Sequence, residues 1–380
     1  MKKILLSVVL LLLLLPSPIF AEELIKNAES GILIEANSGK IIYEKEKDKK
    51  VSVASMTKMV AQIIIMEEIE ANKIKWTDVV TASKNASGMG GSQIYLETGE
   101  KMTVEDLMKG ISIASGNDAT VAMAEYISGS EEKFVERMNE KVKELGLKHT
   151  HFMNCTGLDE ENHYSSSYDM AMIAKELVTN HPDILKFSSI YEDYLRQNTD
   201  KKFWLVNTNK LISQYDGTDG LKTGHTDDAG YCLAATTKRD GLRLIAIVLG
   251  EKDSKVRNSE AMQLLDYGFQ NVKIKQLKKK REVIQTLTLP KAKPNTVSIV
   301  LKDDLNVIEE MGEEKDYQYD IQIKSIPLPS SQGTIVGKIN VLANKKIVST
   351  ESLILSEKVE KLSLFEIYFK NMKELVYGSF

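Results

Sequence analysis

The sequence has little cysteine and little histidine, and both shortages exclude classes of protein. Its 380 residues include two cysteines and five scattered histidines. Two cysteines are too few for a scaffold held by disulfides, so Cys155 and Cys232 are predicted to be buried thiols, with a bridge between them as the alternative. No Cys/His cluster in the sequence has the spacing of zinc ligands, and no metal or other cofactor is predicted.

An excess of positive charge is also missing. The formal net charge is −4, and lysine and glutamate are spread along the chain. Because no basic field covers the protein, nucleic acid is not a predicted partner. The locally basic run at 273–281 is predicted to be a solvated linker and strand face. A chain of this length can form one large domain and a small one.

A long hydrophobic run occurs at the N-terminus. Lys2 and Lys3 precede an apolar stretch over 4–15, which is followed by two prolines and by Ala21. Charged, apolar and small residues in this order predict a secretory signal peptide over 1–21, cleaved after Ala21. An uncleaved anchor helix is the alternative. In either case the rest of the chain is expected to be exported.

Between the N-terminus and residue 272, helical and strand patterns are mixed. Asn37, Ser38 and Gly39 separate two β-rich stretches, which predicts a hairpin. Further antiparallel strands are predicted at 219–226, 230–236 and 242–249. Helical periodicity predicts helices at 59–72, 104–111, 120–127, 131–145, 169–178 (with Asp169 as its cap) and 257–269. The predicted fold is α+β, with helices around an antiparallel sheet whose strands come from both ends of this region.

Beyond residue 272 the composition changes twice. Residues 273–358 alternate polar and apolar side chains with Pro and Gly between them, which predicts a small all-β domain. Over 359–380, apolar residues recur at helical spacing among charged ones. This stretch is too short and too charged to span a bilayer, so it is predicted to be an amphipathic helix on the membrane surface. A helix packed back on the β domain is the alternative. The predicted main domain covers 22–272.

The stretch around Ser55 carries the first chemical signal. Ser55 and Lys58 are one helical turn apart, so a hydroxyl and an amine share one face at the start of a helix. The positive end of the helix dipole lies there too. An acylating serine needs a base within reach and stabilisation of the oxyanion. The spacing alone is weak evidence, because Ser130 and Lys133 repeat it where Ser130 is predicted to cap a helix and Lys133 to be solvated.

Two further motifs follow Ser55-x-x-Lys58 along the chain. Ser115-x-Asn117 lies in a predicted loop before a helix, and Lys222-Thr223-Gly224 lies on a predicted strand. The trio in this order resembles the signature of penicillin-binding proteins and class A β-lactamases. The residues around the second and third motifs, the export signal, the phrase at 335–339 and the amphipathic tail look like the low-molecular-mass penicillin-binding proteins, the serine D-alanyl-D-alanine carboxypeptidases.

This resemblance implies both a fold and an activity. The fold is a penicillin-binding-protein/β-lactamase-like domain, followed by the small β domain and the amphipathic helix. The activity is removal of the terminal D-alanine from peptidoglycan stem pentapeptides, which limits cross-linking, with β-lactam antibiotics as acylating inhibitors. The implied location is the outer face of the cytoplasmic membrane or the cell-wall space, with the tail on the membrane surface.

The resemblance implies four catalytic residues. Ser55 attacks the carbonyl carbon between two D-alanines, and Lys58 takes the proton of its hydroxyl. Lys58 can do so only when neutral, and burial and the like charge of Lys222 are expected to lower its pKa. Ser115 relays a proton to the leaving D-alanine. Asn117 holds Lys58 and the substrate amide.

The resemblance also implies five substrate-binding residues. Lys222, as a cation, and Thr223 face the free carboxylate of the substrate. Gly224 leaves room for the substrate to lie along the strand as an added strand. The backbone N–H of His225 completes the oxyanion site with that of the nucleophile. Arg257 either helps to hold the carboxylate or is a surface arginine at the last helix.

Other interpretations of these residues predict other functions. A triad with His225 as base is rejected, because the resemblance gives His225 a backbone role. A β-lactamase deacylates through a glutamate, usually in Glu-x-x-Leu-Asn, and no such pentad lies between the second and third motifs. A DD-endopeptidase uses the same trio, although the ending His225-Thr226 favours a carboxypeptidase. A non-catalytic wall-binding protein would lack one of Ser55, Lys58 and Lys222.

Overall fold

A computed structural model describes residues 24–377, with the side chains of 370, 371 and 373–377 outside that description. The predicted signal peptide at 1–21 also lies outside the described residues. The α-helices of the described part are α1 (Lys58–Glu70), α2 (Lys84–Ser87), α3 (Val104–Ile113), α4 (Asn117–Ser128), α5 (Glu131–Glu144), α6 (Ser167–Asn180), α7 (Leu185–Ser188), α8 (Leu211–Gln214), α9 (Ser254–Asn271) and α10 (Leu364–Tyr377).

The β-strands of the same part are β1 (Ser30–Glu35), β2 (Ile41–Lys45), β3 (Val79–Thr81), β4 (Lys101–Thr103), β5 (Glu192–Leu195), β6 (Phe203–Val206), β7 (Thr218–Thr226), β8 (Gly230–Arg239), β9 (Leu242–Glu251), β10 (Val272–Lys278), β11 (Val283–Thr288), β12 (Ala292–Lys293), β13 (Thr296–Leu301), β14 (Leu305–Glu310), β15 (Gln318–Ile323), β16 (Ile335–Ala343), β17 (Lys346–Leu355) and β18 (Glu360–Lys361). Short 3₁₀ turns at Ala54–Thr57 and Pro182–Ile184 precede α1 and α7.

The central sheet joins strands from distant parts of the chain. Its order is β2-β1-β9-β8-β7, with antiparallel neighbours throughout. In the pairing of β1 with β9, Ile32 lies opposite Ile247. The prediction that the N-terminal hairpin and the downstream strands share one antiparallel sheet is confirmed. Strand β7 ends the sheet, so the motif Lys222-Thr223-Gly224 lies on an edge strand.

Both faces of this sheet are covered. Ile32 and Ile247 contribute to a core shared with α1 and its neighbouring helices. Leu33 and Leu244 belong to a second core on the opposite face, where they pack with Leu264 of α9. Successive side chains of a strand point to opposite faces, so strands covered on both sides are apolar at consecutive positions. The continuous apolar runs of β1 and β9 follow from this.

Helix α1 is buried on almost every side. Residues 58–66 are all buried, so the helix has no polar stripe facing solvent over that length. The sequence predicted this burial from the run of apolar residues after Lys58, and the structure confirms it. The consequence for the site is that Lys58 enters the protein core with the helix that carries it.

The C-terminal part forms a second β structure. Its five-stranded antiparallel sheet has the order β11-β13-β17-β16-β15, and β10 pairs with β14 beside it. Residues such as Ile299, Ile339 and Leu353 form its own core. The predicted small all-β structure is confirmed, and the basic run at 273–281 forms most of β10. The domain limits 22–272, 273–358 and 359–380 stay predictions.

Short elements differ from the prediction. The stretch at 73–91, for which no helix or strand is predicted, contains β3 and α2, and the Ser83 side chain caps α2. Helix α4 begins at Asn117, three residues before the predicted start. Such short pieces depend on contacts with distant parts of the chain, which local periodicity does not reveal. Cys155 and Cys232 are buried and free, as predicted.

Asp169 has a different role from the predicted one. The cap of α6 is Ser166, whose side chain accepts the N–H of Asp169. The Asp169 carboxylate is buried and accepts hydrogen bonds from the His149 N–H and the Thr150 hydroxyl. It therefore ties a preceding loop to α6, because a buried carboxylate needs such partners.

In helix α10 the described apolar side chain of Ile367 is partly buried. The other five, Leu364, Phe365, Tyr368, Phe369 and Met372, are exposed, with exposed fractions from 88% for Leu364 to 43% for Met372. These side chains do not pack on the β structure, which argues against a helix folded back onto it. Among the described residues, no helix combines the length and the hydropathy needed to pass through a bilayer. Contact of α10 with a membrane surface stays a prediction.

Candidate active site

Ser55 lies on the 3₁₀ turn that leads into α1. Ala54, just before it, has a left-handed φ of 48°. Two glycines approach this turn very closely. A Cβ on Gly157 would lie 1.9 Å from the carbonyl oxygen of Ala54, and a Cβ on Gly224 would lie 2.6 Å from that of Val53. The turn that carries the serine is therefore held between the Gly157 segment and strand β7, with no space for a side chain on either.

The same packing gives Gly224 a role in the fold. The sequence predicts that a glycine here leaves room for a substrate along the strand, and that role stays a prediction. In the structure, a Cβ at Gly224 would meet Val53, Ala54 and the backbone nitrogen of Ser55. Gly224 is needed for the close approach of β7 to the turn, since any larger residue would push the two apart.

Lys58 projects from the start of α1 into the interior and is fully buried. Its Nζ lies 2.8 Å from Ser55 Oγ, 2.6 Å from Asn117 Oδ1 and 2.7 Å from the carbonyl oxygen of Thr156. Burial lowers the pKa of Lys58 from 10.5 to about 7, because the charged form loses its hydration. Close to half of the molecules therefore carry a neutral amine at pH 7.

The three partners of Lys58 Nζ decide the direction of its hydrogen bonds. The Asn117 amide oxygen and the Thr156 carbonyl oxygen can only accept, so they take the two N–H groups of a neutral amine. The remaining lone pair then faces Ser55 Oγ, and the serine hydroxyl donates to it. A neutral Lys58 is thus aligned to accept the proton of Ser55. No pattern in the sequence marks Thr156, which lies 98 residues from Lys58 along the chain.

Ser115 and Asn117 lie where α4 begins. Ser115 has a left-handed φ of 63°, and its Oγ is buried without a hydrogen-bond partner in the described part of the chain. Asn117 is also buried, with its Nδ2 donating to the Gly90 carbonyl and its Oδ1 accepting from Lys58. A strained backbone and an unpaired buried hydroxyl are both costly, and such features concentrate at functional sites.

Asp118, which no sequence motif marks as functional, holds the segment that contacts Asn117. Its fully buried carboxylate accepts the backbone N–H groups of Ile94 and Leu96. The same segment supplies the Ser92 carbonyl, which accepts the Asn117 N–H at 2.7 Å. The sequence signal for Asp118 was an acidic residue among small and apolar residues of a helix. An acid in such a setting is buried with the helix, and a buried acid needs hydrogen-bond partners.

Lys222 is buried on β7 and has no carboxylate partner among the described residues. Its Nζ donates to the carbonyl oxygen of Thr223 at 2.8 Å. Burial lowers the pKa of Lys222 well below its usual value, and the charges of Lys58 and Arg257 lower it further. The sequence predicts that burial and the like charge of Lys222 both lower the pKa of Lys58. In the structure burial accounts for the lowered pKa of Lys58, and the like charge of Lys58 lowers the pKa of Lys222. A cationic Lys222 therefore requires an anion beside it.

Thr223 and Thr208 form a pair of hydroxyls beside this lysine. Thr223 Oγ1 donates to Thr208 Oγ1 at 2.7 Å, and both residues line the same cleft. Thr208 lies just after β6. No pattern in the sequence predicts that Thr208 belongs to the site, because only the path of the chain brings it to β7.

His225 lies at the exposed end of the motif on β7. Its ring packs on Tyr231 of β8 with centroids 4.0 Å apart, so the side chain supports the neighbouring strand. A different histidine lies near the nucleophile: His163 Nε2 is 2.8 Å from Thr57 Oγ1. Burial lowers the pKa of His163 to about 4, so its ring is neutral at pH 7 and holds the turn through a hydrogen bond.

Arg257 is buried, so the alternative prediction of a surface arginine at the last helix is wrong. It lies on α9 with 5% of its area exposed, and it lines the cleft. Its guanidinium donates to the Cys232 carbonyl oxygen and to Asn258 Oδ1. Within the described residues it forms no ion pair, so a buried positive charge is left for a ligand.

A cleft of about 710 Å³ opens beside Ser55 and is lined by part of this site. Among the described residues no acidic side chain lines it, and the site residues on its walls are Ser55, Ser115, Thr223, Gly224, His225 and Arg257. In the same part of the chain, no three His, Cys, Asp or Glu side chains come together in a way that could hold a metal. A serine with a neutral amine beside it, a free hydroxyl and a cationic end suit acyl transfer to a substrate with a negative terminus.

Two family models match the chain. The model described as D-alanyl-D-alanine carboxypeptidase (Peptidase_S11) matches residues 20–253, which is more than half of the sequence. The model described as penicillin-binding protein 5, C-terminal domain (PBP5_C) matches residues 272–361.

Individual relatives extend over nearly the whole chain. D-alanyl-D-alanine carboxypeptidase DacF of Bacillus subtilis is 44% identical over 352 residues, which cover 92% of this chain and 90% of the relative. Penicillin binding protein 5 from Haemophilus influenzae has a TM-score of 0.69 at 31% identity, covering 88% of this chain and 98% of that one. Penicillin-binding protein D2 from Listeria monocytogenes, in an ampicillin-bound form, has a TM-score of 0.58 at 29% identity and covers 64% of this chain and 97% of that one.

Proposed function

This chain belongs to the D-alanyl-D-alanine carboxypeptidase family, and we propose that it removes the terminal D-alanine from peptidoglycan stem pentapeptides through an acyl-enzyme on Ser55. The shortened peptide would limit cross-linking of the wall. The observation that carries the proposal is the position of Lys58 Nζ, 2.8 Å from Ser55 Oγ and bonded to two carbonyl oxygens. This contact supplies a nucleophile and its base together.

Acylation begins when Ser55 Oγ attacks the carbonyl carbon between the two D-alanines. The hydroxyl proton passes to the lone pair of Lys58, and the carbonyl oxygen becomes an oxyanion. The backbone N–H groups of Ser55 and His225 would stabilise this oxyanion. The close approach of β7 to the Ser55 turn supports this placement, since a Cβ on Gly224 would lie 3.2 Å from the Ser55 nitrogen.

Collapse of the tetrahedral intermediate breaks the C–N bond, and the leaving amine needs a proton. Ser115 Oγ, buried and unpartnered among the described residues, can donate its proton to that amine and regain one from the Lys58 ammonium. Asn117 keeps Lys58 in place through its amide oxygen. Water then attacks the ester with Lys58 again as base, and the proton that Lys58 takes from the water passes to Ser55 Oγ as the ester C–O bond breaks. This releases the shortened peptide and restores the Ser55 hydroxyl.

The carboxylate at the end of the substrate fits the cationic end of the cleft. Lys222, Thr223 and Arg257 would hold it, and within the described part of the chain neither Lys222 nor Arg257 has a carboxylate partner. A bound carboxylate would supply the missing counter-charge and raise the pKa of Lys222, so that Lys222 takes up a proton as substrate binds. A peptide without a free carboxylate would lose this gain, which would give preference for the chain terminus.

β-Lactams would acylate Ser55 by the same step, as the ampicillin-bound relative supports. A β-lactamase uses an acid to activate water, and no acidic residue among the described ones lines this cleft. The leaving amine of a β-lactam also stays attached to the acyl group, so it remains beside Lys58 where the hydrolytic water would have to bind. The acyl-enzyme formed with a β-lactam is therefore expected to be long-lived. A DD-endopeptidase would use the same residues on a cross-linked peptide. It would differ in its product, because it would cleave the cross-link without releasing free D-alanine.

The decisive assay measures free D-alanine. The purified protein is incubated with a soluble pentapeptide that ends in D-Ala-D-Ala, and labelled penicillin is used in parallel to detect a stable protein band. We expect D-alanine release and a band, both lost in Ser55→Ala. Cleavage of cross-linked peptides without D-alanine release would indicate an endopeptidase, and rapid turnover of the penicillin would indicate a β-lactamase. Absence of both activities would indicate a non-catalytic wall-binding protein.

The proposed substrate and the predicted signal peptide support a location outside the cytoplasm. The exposed apolar side chains of α10, including Phe365, Tyr368 and Phe369, support contact with the outer face of the cytoplasmic membrane. Deletion of residues 362–380 is expected to move the protein from the membrane fraction to the soluble fraction of a cell lysate. An unchanged distribution after the deletion would contradict this contact.

A further inference from the structure

The hairpin formed by β5 and β6 presents two exposed aromatic rings on one face. Tyr194 lies directly opposite Trp204 in the strand pairing, so both side chains point the same way. Tyr194 is 38% exposed and Trp204 is 55% exposed. The alternate residues Leu195 and Leu205 are buried, so the other face of the hairpin packs on the protein. We call Tyr194 and Trp204 together the aromatic platform.

The platform is held rigidly at both ends of the hairpin. Beyond β5, Arg196 forms a bidentate ion pair with Glu100. At the base, the buried side chain of Asn207 donates to the carbonyl oxygens of Ser188 and Ile190. A surface that is ordered before binding loses little entropy when a ligand arrives. Trp and Tyr are enriched in binding sites, because each combines a large apolar surface with a polar group.

The hairpin leads directly into the cleft. Thr208, which lines the cleft, is four residues after Trp204, so their Cα atoms are separated by at most about 14 Å. Lys210 also lines the cleft, and its Nζ lies 5.3 Å from the ring centroid of Tyr191, just before β5. A five-residue peptide spans up to about 17 Å when extended. A group attached to the far end of a peptide in the cleft can therefore reach the platform.

The size of the platform decides what it can bind. Two strands of four residues present a face of about 13 by 10 Å, or roughly 130 Å². A stable protein–protein interface needs about 800 Å² on each partner, so this face is too small for a protein. Two adjacent rings do match the apolar CH face of a sugar. Lys202 Nζ lies over the Tyr194 ring, 3.8 Å from its centroid, so this flexible side chain would move aside when a sugar stacks there, and its ammonium could then hydrogen-bond to sugar hydroxyls.

From these observations we propose that the aromatic platform binds the sugar rings of the glycan strand while the attached stem peptide occupies the cleft. This inference rests on the proposed function, because it identifies the second half of the same substrate. The platform would raise the affinity for polymer-linked peptide and would leave the chemistry at Ser55 unchanged.

The first test compares two substrates with the full protein. D-alanine release is measured from a soluble pentapeptide and from the same pentapeptide on uncross-linked glycan strands. In the double variant Tyr194→Ala/Trp204→Ala, kcat/KM for the glycan-linked substrate is expected to fall about tenfold, as for loss of a well-stacked aromatic contact, with the soluble peptide unaffected. Tyr319→Ala is the matched control, since Tyr319 is similarly exposed and also has a lysine over its ring. An equal fall on both substrates, or no fall on either, would overturn the proposal.

The second test measures binding without catalysis. The chain has two tryptophans, so a Trp76→Phe variant leaves Trp204 as its fluorophore. Titration with peptide-free glycan strands is expected to shift the Trp204 emission to shorter wavelength, and Tyr194→Ala is expected to weaken the shift. An unchanged emission at saturating glycan would overturn the proposal even if the protein releases D-alanine. A shift without D-alanine release would support the platform and would count against the proposed function instead.

Discussion

The chain contains the spacing Ser-x-x-Lys at two places, and the structure gives them opposite surroundings. At Ser55 and Lys58, the lysine side chain is fully buried and its Nζ lies 2.8 Å from the serine Oγ. At Ser130 and Lys133, the serine side chain accepts the backbone N–H of Lys133 as a helix cap, and the lysine side chain is exposed. The difference shows that spacing places the two residues on one face, whereas burial makes the amine a base.

Burial strongly increases the fraction of molecules in which the Lys58 amine is neutral. An amine with a pKa of 10.5 is neutral in about one molecule in three thousand at pH 7, whereas a pKa of about 7 makes about half of the molecules neutral. Burial of Lys58 therefore raises the concentration of the reactive form roughly a thousandfold. Nothing in the four residues of the motif supplies this gain, since it comes from the elements packed around α1.

The largest predicted effect is that of replacing Lys58, and Lys133 serves as its control. Lys58→Met is expected to slow acylation by labelled penicillin about a thousandfold or more, because the proton of Ser55 loses its acceptor. Lys133→Met, at the other motif, is expected to leave the rate unchanged. The measurement is the rate of band formation at fixed penicillin concentration.

A second variant tests whether Lys58 acts as a base or only as a charge. Lys58→Arg keeps a cation that does not lose its proton in the working pH range. A rate near that of the unsubstituted protein in Lys58→Arg would contradict the base assignment. Thermal unfolding of both variants checks that the loss of rate is not a loss of fold.

A smaller effect is expected from replacing Ser115, whose hydroxyl lies in the same site as the first motif. Ser115→Ala is expected to lower kcat for D-alanine release about a hundredfold, because the leaving amine loses its proton donor. Its free energy of unfolding is expected to stay the same or to rise by about 1 kcal/mol, since the buried Oγ has no partner to lose within the described residues. Chemical denaturation measures the second quantity. A destabilised Ser115→Ala protein would contradict the unpartnered state of this hydroxyl.

The smallest effect is expected at the second motif. Ser130→Ala removes the cap of α5 and is expected to lower the free energy of unfolding by about 1 kcal/mol. D-alanine release is expected to be unchanged. Loss of activity without loss of stability in this variant would remove the contrast between the two motifs.

The sequence predicted those parts of the fold that have a local cause. The apolar run after Lys58 predicted the buried helix, and the turn at 37–39 predicted the first hairpin, since both depend on neighbouring residues. The resemblance carried by the three motifs predicted that Asn117 holds Lys58, and the structure shows this contact between residues 59 apart along the chain.

Long-range packing accounts for what the sequence could not reveal. Thr156 contributes a backbone carbonyl, which any residue type could supply, so no side-chain pattern marks it. His163 and Thr208 reach the site through the path of the chain. The reason for Gly224 depends on how closely β7 approaches Ser55, a distance that has no sequence signature.

The most direct test of the account is the pH dependence of acylation. The second-order rate constant for labelled penicillin is measured from pH 5 to pH 10 in the unsubstituted protein. Because only neutral Lys58 accepts the proton, the rate is expected to rise with pH as one group with a midpoint near 7 deprotonates. A rate that stays flat across this range, or that still rises steeply above pH 9, would contradict a neutral Lys58 as the base.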